Sequence, residues 1–303
     1  MPPTPTTRLT TARDFPPEIL HLFDQYVHNL IDRRAFLEGA SGFAATGLTA
    51  AAFLEALNPR FAEAQQVRPT DARLQAERVD FPSPSGTVNG RGYLVRPKAK
   101  TPAKHPAVLV VHENRGLNPH IEDIARRLAL DGFLAFAPDA LAPLGGYPDD
   151  EDKARELFAK LDQTKTREDF VAAAKFLRAR PESNGHLGAI GFCYGGGVVN
   201  LLATRLPDLE AAVPFYGMAP PLEAVPHVKA TLQLHFAEND ERINASWPAY
   251  EKALKAAQVH YEAYSYPGTE HGFNNDTTPR YDPAAAKLAW QRAVTFLNYA
   301  LRK

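Results

Sequence analysis

From Gln65 to the C-terminus, short and uniformly apolar runs alternate with stretches in which apolar residues recur every three or four positions. Ala107 to His112 is continuous enough for a strand buried on both faces, and Ile121 to Leu130 then takes up helical spacing. Leu134 to Ala137, Leu187 to Phe192, Ala211 to Phe215, Thr231 to Phe236 and His260 to Ser265 repeat the strand signal. Glu151 to Leu161, Arg167 to Arg180, Val198 to Leu206 and Pro283 to Arg302 repeat the helical one. Ahead of them, Arg78 to Phe81 and Gly92 to Arg96 flank the turn-forming stretch Ser85 to Gly90, which predicts an antiparallel pair at one sheet edge. Strands alternating with helices predict an α/β domain over residues 65–303, with a mostly parallel central sheet and helices on both faces. The chain shows no internal repeat and no second domain.

Residues 1–64 break this pattern. Asp32-Arg33-Arg34-Ala35-Phe36-Leu37 sets two adjacent arginines before Gly39 to Leu54, a run without charge and rich in Ala and Gly, and the whole resembles a twin-arginine export signal. The run is too short to span a bilayer, and Ala62-Glu63-Ala64 offers a small-x-small cleavage point that would start the mature chain near Gln65. On that reading the protein is periplasmic or secreted. The alternative is a helical extension packed on the body of a cytoplasmic protein, because the chain ahead of Arg33 is long for a leader.

Composition narrows the class of partner. A chain of 303 residues with 45% hydrophobic and 23% charged positions has the make-up of a globular domain with a sizeable core, which excludes disorder and a polytopic membrane protein. Lys+Arg 34 against Asp+Glu 35 leaves a net charge of -1, so no broad basic field awaits nucleic acid, and the expected partner is a small molecule. The sequence holds 1 cysteine, which cannot form an internal disulfide, and its setting points to chemistry.

That cysteine, Cys193, sits in Gly191-Phe192-Cys193-Tyr194-Gly195-Gly196, between a predicted strand and a predicted helix, the context of a nucleophile elbow with Cys in place of Ser. Flanking glycines permit the sharp turn, and the N-terminus of the following helix favours a thiolate and a developing oxyanion. The plainer alternative is a glycine-rich turn that happens to carry a buried Cys. A dinucleotide-binding loop is excluded because Cys stands where its second Gly belongs, and a phosphatase loop because Gly195 to Leu202 contains no Arg. Asp240 follows the strand Thr231 to Phe236, and His271 follows the strand His260 to Ser265. Nucleophile, acid, histidine is a chain order that lets all three meet at the carboxyl ends of parallel strands. A solvated loop for Asp240 and a surface position for His271 are the competing readings.

Together with Glu113-Asn114-Arg115-Gly116 and His271-Gly272-Phe273, these residues make the chain from about Arg78 onward similar to the dienelactone hydrolase family of the α/β-hydrolase fold. The resemblance implies hydrolysis of an ester or lactone, with Cys193, His271 and Asp240 catalytic and Glu113 touching the resting thiol and helping to deprotonate it. It also implies an oxyanion hole from the backbone N–H groups of Tyr194 and Asn114. The family holds its substrate carboxylate with arginines, one of them four residues after the histidine, where this chain has Asn275. Arg115 and Arg155 are the candidates left for substrate binding. His112, His120, His235 and His271 lack metal-ligand spacing, so no metal is expected, and the mechanism calls for no organic cofactor either. Acyl transfer or hydrolysis of another activated ester on the same site, and a non-catalytic small-molecule-binding relative, are the alternative functions.

Overall fold

Ten-residue strands β1 (Leu74–Ser83) and β2 (Val88–Pro97) open the body as an antiparallel hairpin in a computed structural model that describes residues 11–43, 49–60, 65–98 and 103–302. β3 (His105–Val111), β4 (Leu134–Pro138), β5 (Ser183–Phe192), β6 (Ala211–Phe215), β7 (Thr231–Asn239) and β8 (Tyr261–Glu270) complete an eight-stranded sheet in the order β1-β2-β4-β3-β5-β6-β7-β8. Only the pairings of β2 are antiparallel; β3 to β8 run parallel. This is the mostly parallel sheet with helices on both faces expected from the strand–helix alternation, and the α/β-hydrolase architecture that the resemblance implied.

Side chains of β3 alternate between two cores. Ala107, Leu109 and Val111 face the layer containing α5 (Glu151–Ala159), α6 (Gln163–Arg178), α7 (Tyr194–Arg205) and α9 (Trp247–Ala256). Val108 and Val110 face α4 (Pro119–Leu130) and α10 (Pro283–Leu301). Burial on both faces is why these strands read as unbroken apolar runs. The hairpin is longer than its pattern suggested. Its register runs to Ser83↔Val88, and most of β1 is not buried, so no apolar alternation marks the ends. Helix α9 had no counterpart in the sequence reading, because Tyr250 and Leu254 are its only buried positions.

Among the described residues, the α-helices α1 (Pro17–Val27), α2 (Arg33–Ser41) and α3 (Ala50–Leu57) precede the body. The Asp32 carboxylate caps α2 by accepting from Ala35 N–H at 2.8 Å, and the Thr49 hydroxyl caps α3 through Ala52 N–H at 3.2 Å. Phe15, Ile19, Phe23 and Tyr26 pack with Phe36, Phe53 and Leu57 into a separate apolar cluster. Arg33 pairs with Asp152 of α5 at 2.8 Å and Arg34 with Glu38 at 2.7 Å. The tripeptide Ala62-Glu63-Ala64 lies outside the described residues. Among the described residues, no helix is long and apolar enough to cross a membrane.

Candidate active site

Three loops at the carboxyl ends of β5, β7 and β8 bring Cys193, Asp240 and His271 together, the place where open parallel sheets gather their functional groups. Cys193 follows β5 with φ 56° and ψ −115°, a conformation that costs an L-residue energy and holds its side chain clear of the sheet. The close approach explains the neighbouring glycines. A Cβ on Gly195 would collide with the carbonyl of Val111 in β3, and one on Gly191 with the backbone of Gly195. Tyr194 opens α7, so its N–H is one of those that a helix leaves without an internal partner.

Asp240 caps the short helix α8 (Glu241–Asn244) through Ile243 N–H at 3.3 Å, and its second oxygen lies 2.5 Å from Nδ1 of His271. Both side chains are buried, and with Nδ1 on Asp240 the opposite nitrogen, Nε2, is left on the Cys193 side as a buried atom with no hydrogen-bond partner among the described residues. Burial alone would lower the histidine's basicity, but Asp240 and the Cys193 thiolate outweigh it and raise its pKa to about 10. At Cys193, burial disfavours the charged form, yet His271 and then His28 overcome it and hold the thiol at about 5.

His28 was not foreseen. It closes α1 in the N-terminal segment, and its Nε2 lies 3.3 Å from the Cys193 sulfur while its ring sits edge-on to His271, centroids 4.8 Å apart. Its Nδ1 is 2.7 Å from the Asp24 carbonyl and 3.3 Å from the Asp24 carboxylate. Arg242 of α8 approaches Nε2 to 2.8 Å. Sulfur and one ring nitrogen from each histidine lie within 4.8 Å of one another, a donor set of the kind that takes metal ions, but the guanidinium of Arg242 beside one of the three opposes a cation there.

The side chains of the other expected residues make contacts of their own. Glu113 is buried beyond β3, where its carboxylate accepts from Asn275 Nδ2 at 3.0 Å; the sulfur's close partner is His28. Asn114 sits over the sulfur side of the site, and its side chain donates to the carbonyl of Val27 in α1. Arg115 is also buried, bonded to Asn114 Oδ1 at 2.7 Å and paired with Glu151 at 3.1 Å. Arg155 reaches the N-terminal segment, donating to Asn29 and to the Tyr26 hydroxyl at 2.8 Å each and stacking on the Tyr26 ring. Neither arginine lines the cavity over Cys193. That cavity, about 390 Å³, is walled by Phe158, Leu201, Met218 and Pro220, with Arg167 and Arg242 as its cations.

A sequence-family comparison matches residues 91–301 to the "Dienelactone hydrolase family". The chain belongs to that family. Residues 7–45 separately match a family described as "YqhI-like". Among dienelactone hydrolase relatives, the "Putative carboxymethylenebutenolidase" of Synechocystis is 32% identical over 237 residues, covering 72% of this chain and 95% of its own. The "Putative hydrolase fragment YghX" of Escherichia coli is 54% identical over 117 residues, which is 39% of this chain and 99% of that one. The crystal structure of a "Putative Dienelactone Hydrolase" from Klebsiella pneumoniae superposes with a TM-score of 0.64 at 29% identity, covering 74% of this chain and 98% of that one. The dienelactone hydrolase match thus begins within β2, and His28 lies outside it, inside the second matched segment.

Proposed function

We propose that this dienelactone hydrolase family member cleaves an ester or lactone through an acyl-thioester on Cys193. The observation that carries the reading is the buried 2.5 Å contact between Asp240 and His271, which leaves the second histidine nitrogen bare and facing the strained, glycine-flanked thiol. In this mechanism His271 Nε2 takes the thiol proton and the thiolate attacks the carbonyl carbon. The N–H groups of Tyr194 and Asn114 hold the oxyanion, the carbon–oxygen bond breaks, and the leaving oxygen receives the proton from His271. Water then cleaves the thioester and the thiol is restored. Asp240 fixes the ring and its tautomer throughout.

The cavity's size suits a small acyl group, and its two guanidiniums, Arg167 and Arg242, favour a substrate that carries an anionic group. They take the role first given to Arg115 and Arg155, which are engaged elsewhere. For the N-terminal segment, the buried cluster around Phe23 and Phe36 and the pairing of Arg33 with Asp152 support the helical extension over a removable leader. Intact mass of the protein from its host tests this: a chain that keeps residues 11–57 agrees, and a start near Gln65 restores the export reading. For the activity, wild type and Cys193→Ala are compared on short-chain activated esters and lactones. Turnover by wild type alone is expected, and turnover by neither protein on any such substrate would move the function toward small-molecule binding.

A further inference from the structure

We infer that His28, supplied from outside the hydrolase body, is a catalytic residue that activates the water for hydrolysis of the acyl-thioester. The inference rests on the thioester reading above. Three observations lead to it. First, His28 touches the reacting atom, with Nε2 3.3 Å from the Cys193 sulfur. Second, the cavity over Cys193, where acyl group and incoming water must sit, is lined by His28 and not by His271, which lines the wider groove beside Asp24 and Asp240. Third, Asp24 aims the ring, and once the thiolate has become a thioester, Nε2 can act as a base. Nδ1–H donates to the Asp24 carbonyl with the Asp24 carboxylate close by, and Nε2 faces the Arg242 guanidinium, a group that only donates. Asp24–His28 therefore stands to the sulfur much as Asp240–His271 does.

The position is held by contacts on several elements. Arg242 and Arg280 flank the Asp24 carboxylate at 3.7 Å each, Asn114 Nδ2 donates to Val27, and Arg155 with Asp152 grips Tyr26. His28 is not a plug, because Cys193 keeps partial exposure and the cavity stays open beside it.

Water oxygen attacks the thioester carbonyl while one water proton passes to His28 Nε2. The carbon–sulfur bond then breaks, the acid leaves with the hydroxyl group, and the proton moves from His28 to the departing sulfur. His271 completes acylation by protonating the leaving oxygen, and His28 serves the second half of the cycle.

Single-turnover reaction of the full-length protein with a p-nitrophenyl ester separates the halves. Nitrophenol release reports acylation, and the mass of the protein reports decay of the acyl group. In His28→Gln, acylation is expected to persist at a reduced rate, because His271 still favours the thiolate, while thioester decay slows by a larger factor, about a hundredfold or more. In His28→Ala, imidazole added to the buffer restores decay, which a structural role would not allow. Decay at the wild-type rate in His28→Gln overturns the inference. So does loss of acylation and decay together without rescue by imidazole. A wild type that never carries an acyl group removes the thioester reading itself, and this inference with it, and is told apart by the absence of any adduct before substitution.

Discussion

Removing His271 must make the thiol of Cys193 a much weaker acid, and the structure sets the scale. In the intact site the thiol is brought from its ordinary 9.0 to about 5, against burial, with His271 the largest favourable influence and His28 the next. A displacement of that size corresponds to roughly 5 kcal/mol in favour of the thiolate, at about 1.4 kcal/mol for each tenfold change. His271→Ala leaves burial in place and only His28 to oppose it, so the thiol should return to its ordinary range or above. Alkylation at one pH is a poor readout. The fraction of thiolate at neutral pH falls about a hundredfold in the variant, but a thiolate of higher pKa is intrinsically more nucleophilic, with a slope of about 0.4–0.5, and the two effects nearly cancel. The midpoint of thiolate absorbance against pH avoids this, and the chain's 1 cysteine makes the signal unambiguous. Wild type should ionise near pH 5, and the imidazolium–thiolate pair should persist until pH rises through about 10, where His271 deprotonates. The sign follows from opposite displacements: the lowered thiol loses its charge as pH falls, and the raised histidine loses its charge as pH rises. A wild-type midpoint near 9, or a midpoint unchanged by His271→Ala in a folded protein, would refute the pairing.

Other parts of the account are open to equally direct trials. Gly195→Ala forces a methyl group against the Val111 carbonyl and shifts the Tyr194 N–H, so kcat should fall by about a hundredfold with the fold retained by circular dichroism. Phe23→Ala empties a fully buried position in the N-terminal cluster at a cost of about 3–5 kcal/mol. Limited proteolysis should then cut within residues 11–57 well before the body is attacked. Arg167→Ala removes a charge at the exposed rim of the cavity, worth up to about 1 kcal/mol, so KM for an anionic ester should rise about fivefold while a neutral ester is unaffected.

Burial explains which features were legible in the chain. β3 and the core of β5 are covered by helices on both sides, so their sequences are apolar without interruption and mark themselves. Cys193 was conspicuous because the close backbone contact at its turn requires glycine two residues to either side, at Gly191 and Gly195. Asp240 and His271 could be paired because each follows a parallel strand, which fixes both at one end of the sheet. His28 and Asp24 offered a weaker signal. They stand four apart at the end of an amphipathic helix, a spacing that reads as an ordinary i, i+4 pair until the helix is docked. Treating residues 1–64 as a separable unit hid their approach to the thiol, 165 positions away in sequence. The same separation hid the partners of Arg155, since Tyr26 and Asn29 belong to that segment. Glu113 and Asn275 were each noticed, but only the fold shows that they bond to each other.

The claim on which the rest depends is that the acyl group passes through the sulfur of Cys193. Rapid acid quench of wild type turning over a short-chain ester, followed by peptide mass mapping, measures this directly. The account predicts an acyl increment on the peptide containing Cys193, labile to hydroxylamine, and none in Cys193→Ala, which should also lose turnover. An acyl group on any other residue, or undiminished turnover by Cys193→Ala, would contradict it.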